Sequence, residues 1–187
     1  MIRAFVALPL PVETTEGLAR IQQKAPLGRP VPEANMHLTL AFLGDIPPDG
    51  VEDLAEALAG IDPPPRFDIR LDGLAFFGGQ PPGVLAATVR PDPVLEALHD
   101  AVLRAARAAG LTVKRQRFRP HVTLLRLPRP LRAEDEAALA RFMGKHAASF
   151  AAEFTAEEFC LYRSILRREG ARHEELAFFE LPAPVTP

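Results

Sequence analysis

The sequence predicts an α+β fold in which antiparallel sheets carry helices on their outer side. Three observations lead to this prediction: the predicted elements are short, hairpin patterns are frequent, and the segments of about 1–91 and 92–187 repeat a similar order of strands and helices. Short connections and hairpins are typical of antiparallel sheets and not of a doubly wound parallel sheet. The similar order of elements suggests a pseudo-twofold axis within a single domain.

The composition is that of a globular protein. Hydrophobic residues make up 48% of the 187 residues and charged residues 25%, and the longest apolar runs are too short to cross a bilayer. The opening segment 1–11 has one positive charge and two prolines, which favours a strand over a signal peptide. We therefore expect a cytoplasmic protein without membrane association, acting as a monomer. Cys160 is the only cysteine, which excludes an internal disulfide.

Apolar runs and alternation of apolar and polar side chains predict the strands. Residues 67–74 alternate most clearly, which is typical of a half-exposed strand. A loop is expected over 76–83, so that the next strand completes a hairpin, and the polar segment 163–174 is expected to separate the last two strands. The predicted strands are 2–8, 37–43, 67–74, 84–89, 111–113, 118–127, 150–162 and 175–181.

Helical periodicity and end signals predict the helices. The helix over 93–109 is the best defined, because Asp92 suits the N-cap, Pro93 the first helical position and Gly110 the end. Elsewhere apolar residues recur at helical spacing between prolines and glycines that stop the pattern. The predicted helices are 12–25, 51–58, 93–109 and 132–146.

One motif occurs twice, as His, aliphatic, Thr and Leu at 37–40 and again at 121–124. In an extended strand, His37 and Thr39 share one face while the aliphatic residues between and after them occupy the other. His121 and Thr123 repeat this arrangement. A single copy is explained as well by a partly buried histidine beside a residue with β propensity. The matched pair favours two strands that present an imidazole and a hydroxyl to one substrate.

Two imidazoles on equivalent strands can act as general acid and general base, because histidine titrates near neutral pH. The reaction that they serve most directly is attack of water on a phosphodiester. The threonine hydroxyls can donate hydrogen bonds to nonbridging oxygens, and a nearby arginine can stabilise the developing charge. The sequence has no dense grouping of metal-ligating residues, so neither a metal nor another cofactor is expected.

Basic residues are concentrated around the second motif, although the net charge of the chain is −2. One interpretation is a solvated face together with cations at a helix C-terminus. The other is an anion site, since guanidinium groups suit phosphate oxygens. Between residues 101 and 133 there is no acid, and the bases are Arg104, Arg107, Lys114, Arg115, Arg117, Arg119, Arg126, Arg129 and Arg132.

Other aromatic and histidine residues have two interpretations. Phe42, Phe76 and Phe77 can stack on a nucleobase or pack in the core, and the loop predicted over 76–83 makes the last two the more exposed. The remaining histidines are assigned structural or surface roles, because no motif accompanies them. Two of them lie on predicted helices and the third in a predicted polar turn; they are His99, His146 and His173.

The two motif segments resemble those of the two-histidine phosphoesterase superfamily, whose pattern is written HXTX. They read HLTLAFLG at 37–44 and FRPHVTLLR at 118–126. Their flanks are most similar to the RNA 2′,3′-cyclic phosphodiesterases, also called 2′-5′ RNA ligases. The resemblance extends over nearly the whole chain, from the opening strand to the closing LYRS at 161–164.

The resemblance implies a bilobal fold with a central cleft between two antiparallel sheets. It also implies His37 as the proton donor and His121 as the proton acceptor, with Thr39 and Thr123 on the phosphate and Arg126 close by. His173 is a departure, since a tyrosine is expected there in many relatives, and it puts a contact at the substrate end in question. The candidate substrate-binding residues are Arg126, Phe42, Arg119 and Tyr162.

The implied reaction opens a terminal 2′,3′-cyclic phosphate on RNA to a 2′-phosphomonoester, so the bond to the 3′ oxygen breaks. The expected partners are RNA ends or nucleotides that carry the cyclic phosphate. Two alternatives stay open. The same site can join RNA ends through a 2′-5′ linkage, or the protein can bind RNA ends without catalysis.

Overall fold

The structure of the protein is a computed structural model that describes residues 1–114, 117–148, 150–167 and 170–184. Its elements in chain order are β1 (Ile2–Pro9), α1 (Val12–Gln22), β2 (Arg29–Pro30), a 3₁₀ turn (Glu33–Asn35), β3 (His37–Ile46), α2 (Pro48–Ala59), β4 (Phe67–Phe77), β5 (Val84–Val89), α3 (Pro93–Ala108), β6 (His121–Arg126), α4 (Ala133–His146), β7 (Ala151–Ala156), β8 (Glu158–Arg167) and β9 (Gly170–Glu180).

The strands form one antiparallel sheet in the order β7-β4-β5-β6-β3-β1-β8-β9, and β2 pairs with β6. The predicted α+β fold with antiparallel strands is confirmed. The two expected sheets are instead two half-sheets of one sheet, because β3 and β6 are joined through the residue pair Leu38–Val122. The first half-sheet is β3-β1-β8-β9 and the second half-sheet is β7-β4-β5-β6.

Each half-sheet takes strands from both segments of the chain, 1–91 and 92–187. The first half-sheet combines β1 and β3 with β8 and β9, and the second combines β4 and β5 with β6 and β7. The segments 1–91 and 92–187 therefore describe the order of elements along the chain and do not coincide with the half-sheets.

The core lies between the helices and one face of the sheet. On α3, Leu95, Leu98 and Val102 are fully buried, and this helix packs against β3 and α2. From the sheet, Leu38 and Val122 point into the same core. The opposite face of β3 and β6 is thereby left to the polar residues of the two motifs.

Three sequence predictions about strands are wrong. Residues 111–113 are not a strand, and the strand predicted over 150–162 is two strands, β7 and β8. The polar segment 163–174 is not a connector but belongs to the β8–β9 hairpin. Arg163 of β8 forms an ion pair with Glu174 of β9, and a cross-strand pair of opposite charges stabilises a hairpin although its polar residues are typical of a loop.

Two smaller differences concern the neighbourhood of the motifs. Phe76 and Phe77 belong to β4 and are half-buried, so the loop predicted over 76–83 begins later than expected. The two-residue strand β2 was not predicted, because it is too short to show alternation. The other predicted elements are found, with ends displaced by a few residues.

Candidate active site

The two motifs come together at the junction of the half-sheets. His37 and His121 are the first residues of β3 and β6, and the pair Leu38–Val122 follows directly. In an antiparallel register this pair sets His37 across from Thr123 and Thr39 across from His121. The four polar residues are half-buried and share the face opposite the core. We name this face the cleft, defined by His37, Thr39, His121 and Thr123.

The two imidazoles are anchored in the same way. His37 Nδ1 donates to the carbonyl oxygen of Asn35 at 2.8 Å, and His121 Nδ1 donates to the carbonyl oxygen of Arg119 at 2.8 Å. Each partner lies two residues before its histidine. Because a carbonyl only accepts hydrogen bonds, the Nδ1 atoms carry the protons and each Nε2 is left to exchange a proton with substrate.

Aromatic rings fix the plane of His37. The ring of Phe5 stacks on it with centroids 4.7 Å apart, and His173 meets it edge-on at 5.0 Å. Tyr162 stacks on the same Phe5 at 5.2 Å and lies 6.5 Å from His37. This packing buries much of the imidazole and restricts its rotation.

His121 is supported by a different aromatic stack. Phe77 stacks on its ring with centroids 4.2 Å apart, and the guanidinium of Arg119 lies 4.7 Å from the centroid of Phe77. Arg119 thus supports the imidazole of His121 in two ways. Its carbonyl accepts the hydrogen bond from Nδ1, and its guanidinium contacts the Phe77 ring on which the imidazole stacks.

A bulge follows the threonine in both motif strands. In β3, Thr39 pairs with Ala7 and Ala41 with Val6, so Leu40 is an extra residue. In β6, Thr123 pairs with Ala86 and Leu125 with Leu85, so Leu124 is the extra residue. A bulge reverses the alternation of faces beyond it. As a result the residues that return to the cleft face are Phe42 and Arg126, each five positions after its histidine.

The cleft is electropositive. The pKa of His37 is lowered to about 4, chiefly by burial and next by the neighbouring His173, while the hydrogen bond to the Asn35 carbonyl opposes the shift. The charges of His121 and Arg126 lower the pKa of His37 as well. Burial and Arg126 also lower the pKa of His173. Groups from both motifs therefore lie within electrostatic reach of one another, and the site favours an anion.

Two cavities border the cleft. One of about 350 Å³ is lined by His37, Tyr162 and His173. The other, of about 680 Å³, is lined by residues that include Thr39, Phe42 and His121. His37 lines the first and Thr39 the second, and these two residues are next neighbours on one face of β3. The space on both sides of the cleft suits a nucleotide with its phosphate at the centre.

The candidate substrate-binding residues surround the cleft at different depths. Phe42 is 53% exposed, and the guanidinium of Arg3 lies 4.8 Å from its ring centroid. Arg126 and Arg119 are exposed, whereas Tyr162 is half-buried, and burial raises its pKa.

The basic stretch divides into several environments. Lys114 and Arg117 line the larger cavity. Arg129 donates to the Gly78 carbonyl and Arg132 pairs with Glu134, so these two have structural contacts. Arg104 and Arg107 lie on α3, and Arg115 falls outside the described residues.

The sequence analysis missed several residues of the site, and wrongly placed His173 in a turn. His173 lies on β9 opposite Ser164 and contacts both His37 and Phe5. Nothing in the local sequence indicates this, because the contact depends on the register of a distant hairpin. A detectable signal existed for Asn35, which precedes its histidine by the same interval as Arg119 does. The other two histidines are outside the motifs: His99 stacks on Phe118 and lines the larger cavity, whereas His146 lies against Phe142 within α4 with the two rings tilted.

Among the described residues, no three His, Cys, Asp or Glu side chains are grouped so that they could share a metal ion. Within the same part of the chain, every helix is too short or too polar to span a bilayer.

A family model described as the 2′-5′ RNA ligase superfamily matches residues 9–167, which include both motifs. This chain belongs to the 2′-5′ RNA ligase superfamily. The resemblance inferred from the motifs is thereby confirmed.

Relatives within this superfamily match most of the chain. A Geobacillus stearothermophilus protein named RNA 2′,3′-cyclic phosphodiesterase is 30% identical over 183 residues, which cover 95% of this chain and 56% of that protein. A Thermus thermophilus protein of the same name is 31% identical over 192 residues, covering 96% of this chain and 90% of that one. The chain thus spans just over half the length of the Geobacillus relative and most of the Thermus relative.

Solved structures of the superfamily share the fold. The crystal structure of Escherichia coli LigT complexed with 3′-AMP matches with a TM-score of 0.79 and 28% sequence identity, covering 96% of this chain and 98% of that chain. That protein therefore has the same arrangement of elements and was crystallised with a nucleotide.

Proposed function

We propose that this protein is a metal-independent RNA 2′,3′-cyclic phosphodiesterase that opens the terminal cyclic phosphate to a 2′-phosphomonoester. The observation that carries the proposal is the equivalent anchoring of His37 and His121 on neighbouring strands, with both Nε2 atoms available to one cleft. The names of the relatives support the same reaction. Because the chain spans only part of the Geobacillus relative, the activity is proposed and not carried over.

In the proposed mechanism, His121 Nε2 takes a proton from a water molecule, and the water oxygen forms a bond to phosphorus. The bond from phosphorus to the 3′ oxygen breaks, and His37 Nε2 gives that oxygen a proton. One histidine takes up a proton and the other releases one. His121 therefore ends protonated and His37 ends neutral, each in the protonation state in which the other began. The hydroxyls of Thr39 and Thr123 donate to the nonbridging oxygens, and Arg126 stabilises the charge that accumulates on them.

The role of His37 as the acid depends on the substrate. With a pKa lowered to about 4, its ring is neutral at pH 7 in the free protein. A phosphate placed between His37 and Arg126 offsets the neighbouring positive charges and favours the protonated ring. Substrate binding near neutral pH is therefore expected to be coupled to proton uptake by His37.

End joining through a 2′-5′ linkage is a second candidate, favoured by the name of the superfamily whose model matches. In this reaction the 5′ hydroxyl of a second RNA end replaces water: it gives its proton to His121 Nε2 and its oxygen forms a bond to phosphorus. The bond from phosphorus to the 3′ oxygen breaks, and His37 Nε2 gives that oxygen a proton. We further propose, from the sequence alone, that the protein acts in the cytoplasm as a monomer.

The test is incubation of the protein with adenosine 2′,3′-cyclic phosphate in excess chelator. We expect adenosine 2′-phosphate as the product, identified by ³¹P NMR. Formation of the 3′-phosphate would reverse the bond assignment. Binding without turnover would identify a non-catalytic protein, and turnover that stops with chelator would remove the metal-independent mechanism.

A further inference from the structure

A further cavity, of about 290 Å³, lies beside the cleft. It is enclosed by β2, the end of β6 and the β8–β9 hairpin. Among the described residues that line it, five are basic or histidine and none is acidic. We name it the basic cavity, defined by Arg29, Arg126, Arg167, Arg172 and His173.

Two of these arginines face each other directly. Arg29 of β2 is the cross-strand partner of Arg126 of β6, so both side chains leave the same face of the sheet. Like charges directly opposite each other destabilise a strand pair. Within the described chain neither guanidinium forms an ion pair with a carboxylate. An anion between the two arginines would remove the repulsion and satisfy their donors.

The strand that carries Arg29 is held firmly in place. The side-chain amide of Gln22 donates to the carbonyl oxygens of Val31 at 2.8 Å and Leu124 at 2.7 Å, and the Val31 amide donates to the same Leu124 oxygen at 2.9 Å. These bonds tie the chain after β2 to β6. Arg29 is therefore pre-positioned beside Arg126, which reduces the ordering that binding would require.

The opposite wall is tied to the active site through Asn35. Its side-chain amide donates to the Ala171 carbonyl at 2.6 Å, while its own carbonyl anchors His37. His173 belongs to both places, since it lines the basic cavity and the cavity beside His37. Arg126 likewise lies at the cleft and in the basic cavity. The two anion sites are therefore adjacent and share a wall.

Two neighbouring sites that favour anions suit a nucleic acid strand, because each of its nucleotides carries a phosphate. We propose, on the basis of the proposed function, that the basic cavity binds the phosphate on the 5′ oxygen of the nucleotide whose 2′,3′-cyclic phosphate is opened. An RNA strand supplies this group as a diester, and a 5′-phosphorylated mononucleotide supplies it as a monoester. The preferred substrate class is then an RNA 3′ end and not a bare cyclic nucleotide.

The experiment compares kcat/KM for three substrates. They are adenosine 2′,3′-cyclic phosphate, its 5′-phosphorylated form, and the RNA dinucleotide ApA that ends in a 2′,3′-cyclic phosphate. If the basic cavity binds the 5′ phosphate, we expect kcat/KM to be about tenfold higher or more for both substrates that carry this group, which is the effect of a charge-assisted hydrogen bond. Arg29→Gln is expected to remove most of the gain and to leave the bare substrate unchanged. Arg167→Gln is a second variant, and Arg104→Gln on the exposed face of α3 is the matched control.

A gain for the monoester alone would assign the cavity to 5′-phosphorylated nucleotides and overturn the preference for an RNA strand. Turnover of the bare substrate without any gain, or a gain that survives in both cavity variants, would overturn the subsite and leave the proposed function standing. Absence of turnover would remove the proposed function. Calorimetry with adenosine 2′-phosphate and its 5′-phosphorylated form then tests the cavity by itself: tighter binding that depends on Arg29 supports it, and equal affinity overturns it.

The stability of the Arg29 variant separates binding from folding. Because the substitution removes a repulsive pair, Arg29→Gln is expected to melt at the same temperature as the unmodified protein or higher. A clear loss of thermal stability would assign Arg29 a structural role and count against the subsite.

Discussion

Phe42 and Arg126 occupy equivalent positions on two strands that share the His, Thr and Leu of the motif. Each stands five places after its histidine, and each returns to the cleft face because a bulge intervenes. The first motif strand thus ends in an exposed ring and the second in a cation. This asymmetry gives the cleft one end suited to a nucleobase and one suited to phosphate oxygens.

Replacing either histidine of the cleft is expected to abolish most activity. His37→Ala and His121→Ala should each reduce the rate by about 10²-fold to 10⁴-fold, the usual effect of losing a general acid or base. The measurement is steady-state hydrolysis of adenosine 2′,3′-cyclic phosphate, with circular dichroism to verify folding. His146→Ala changes a histidine on α4 and serves as the control. Activity close to that of the control would exclude the altered residue from the mechanism.

Arg126→Ala is expected to lower kcat/KM by about 10²-fold, because a charge-assisted contact to the phosphate is lost. The same variant should raise the pKa of His37, since Arg126 is one of the charges that lower it. Kinetics and an NMR titration of the histidine ring protons measure the two effects. If kinetic parameters and titration both stay unchanged, Arg126 is not part of the site.

His173→Phe keeps a ring beside His37 and removes a titratable group. His173 is the second largest cause of the lowered pKa of His37, after burial. The variant should therefore show an upward shift in the NMR titration of His37, whereas His146→Phe should not. An unchanged or lower pKa of His37 would show that His173 does not contribute to the shift.

Stability should fall with acidification in a way that depends on His37. Its pKa is about 4 in the folded state and 6.5 as the reference value, so the unfolded chain binds more protons between these pH values. Above pH 6.5 the ring is neutral in both states and contributes no pH dependence. At pH 5 the loss is about 2 kcal/mol for this group. Urea denaturation at pH 7 and pH 5 should show a smaller difference in the free energy of unfolding for His37→Gln than for the unmodified protein, and equal differences would contradict the assignment.

Phe77→Leu is expected to reduce kcat by about tenfold with little change in KM, because the plane of His121 loses its stacking partner and misplacement of a catalytic group is costly. Phe76→Leu alters the neighbouring ring on the same strand and is the matched control. Equal losses in the two variants would indicate a general effect of weakened packing.

The sequence was sufficient for those parts of the site that follow from alternation along a strand. His37, Thr39 and their partners in the second motif share a face because side chains alternate, and the structure places them so. Alternation by itself would have set Arg126 on the face away from His121, since the two are separated by an odd interval. The bulge at Leu124 corrects this, and a bulge leaves no regular signal in a single sequence.

Residues that reach the site from distant strands could not be derived in this way. Phe5, Phe77 and His173 contact the two imidazoles through the pairing of β1, β4 and β9, which depends on the register of the whole sheet. The β8–β9 hairpin was not predicted because its charged residues, which include the cross-strand pair Arg163–Glu174, are also typical of a loop. Patterns along the chain thus predict which side chains share a face of a strand. The register of the sheet decides which residues of other strands contact them.

The strand composition of the first half-sheet, which contains His37, affects the order in which the protein can fold during translation. Its β8 and β9 strands are synthesised long after β3, as the bond between Asn35 and Ala171, which spans 136 positions, illustrates. The strands β4 to β7 lie in one uninterrupted stretch and can pair during translation. The imidazole at position 37 therefore gains its contacts with Tyr162 and His173 only after the hairpin has been synthesised, so this part of the cleft is assembled well after the first motif has left the ribosome.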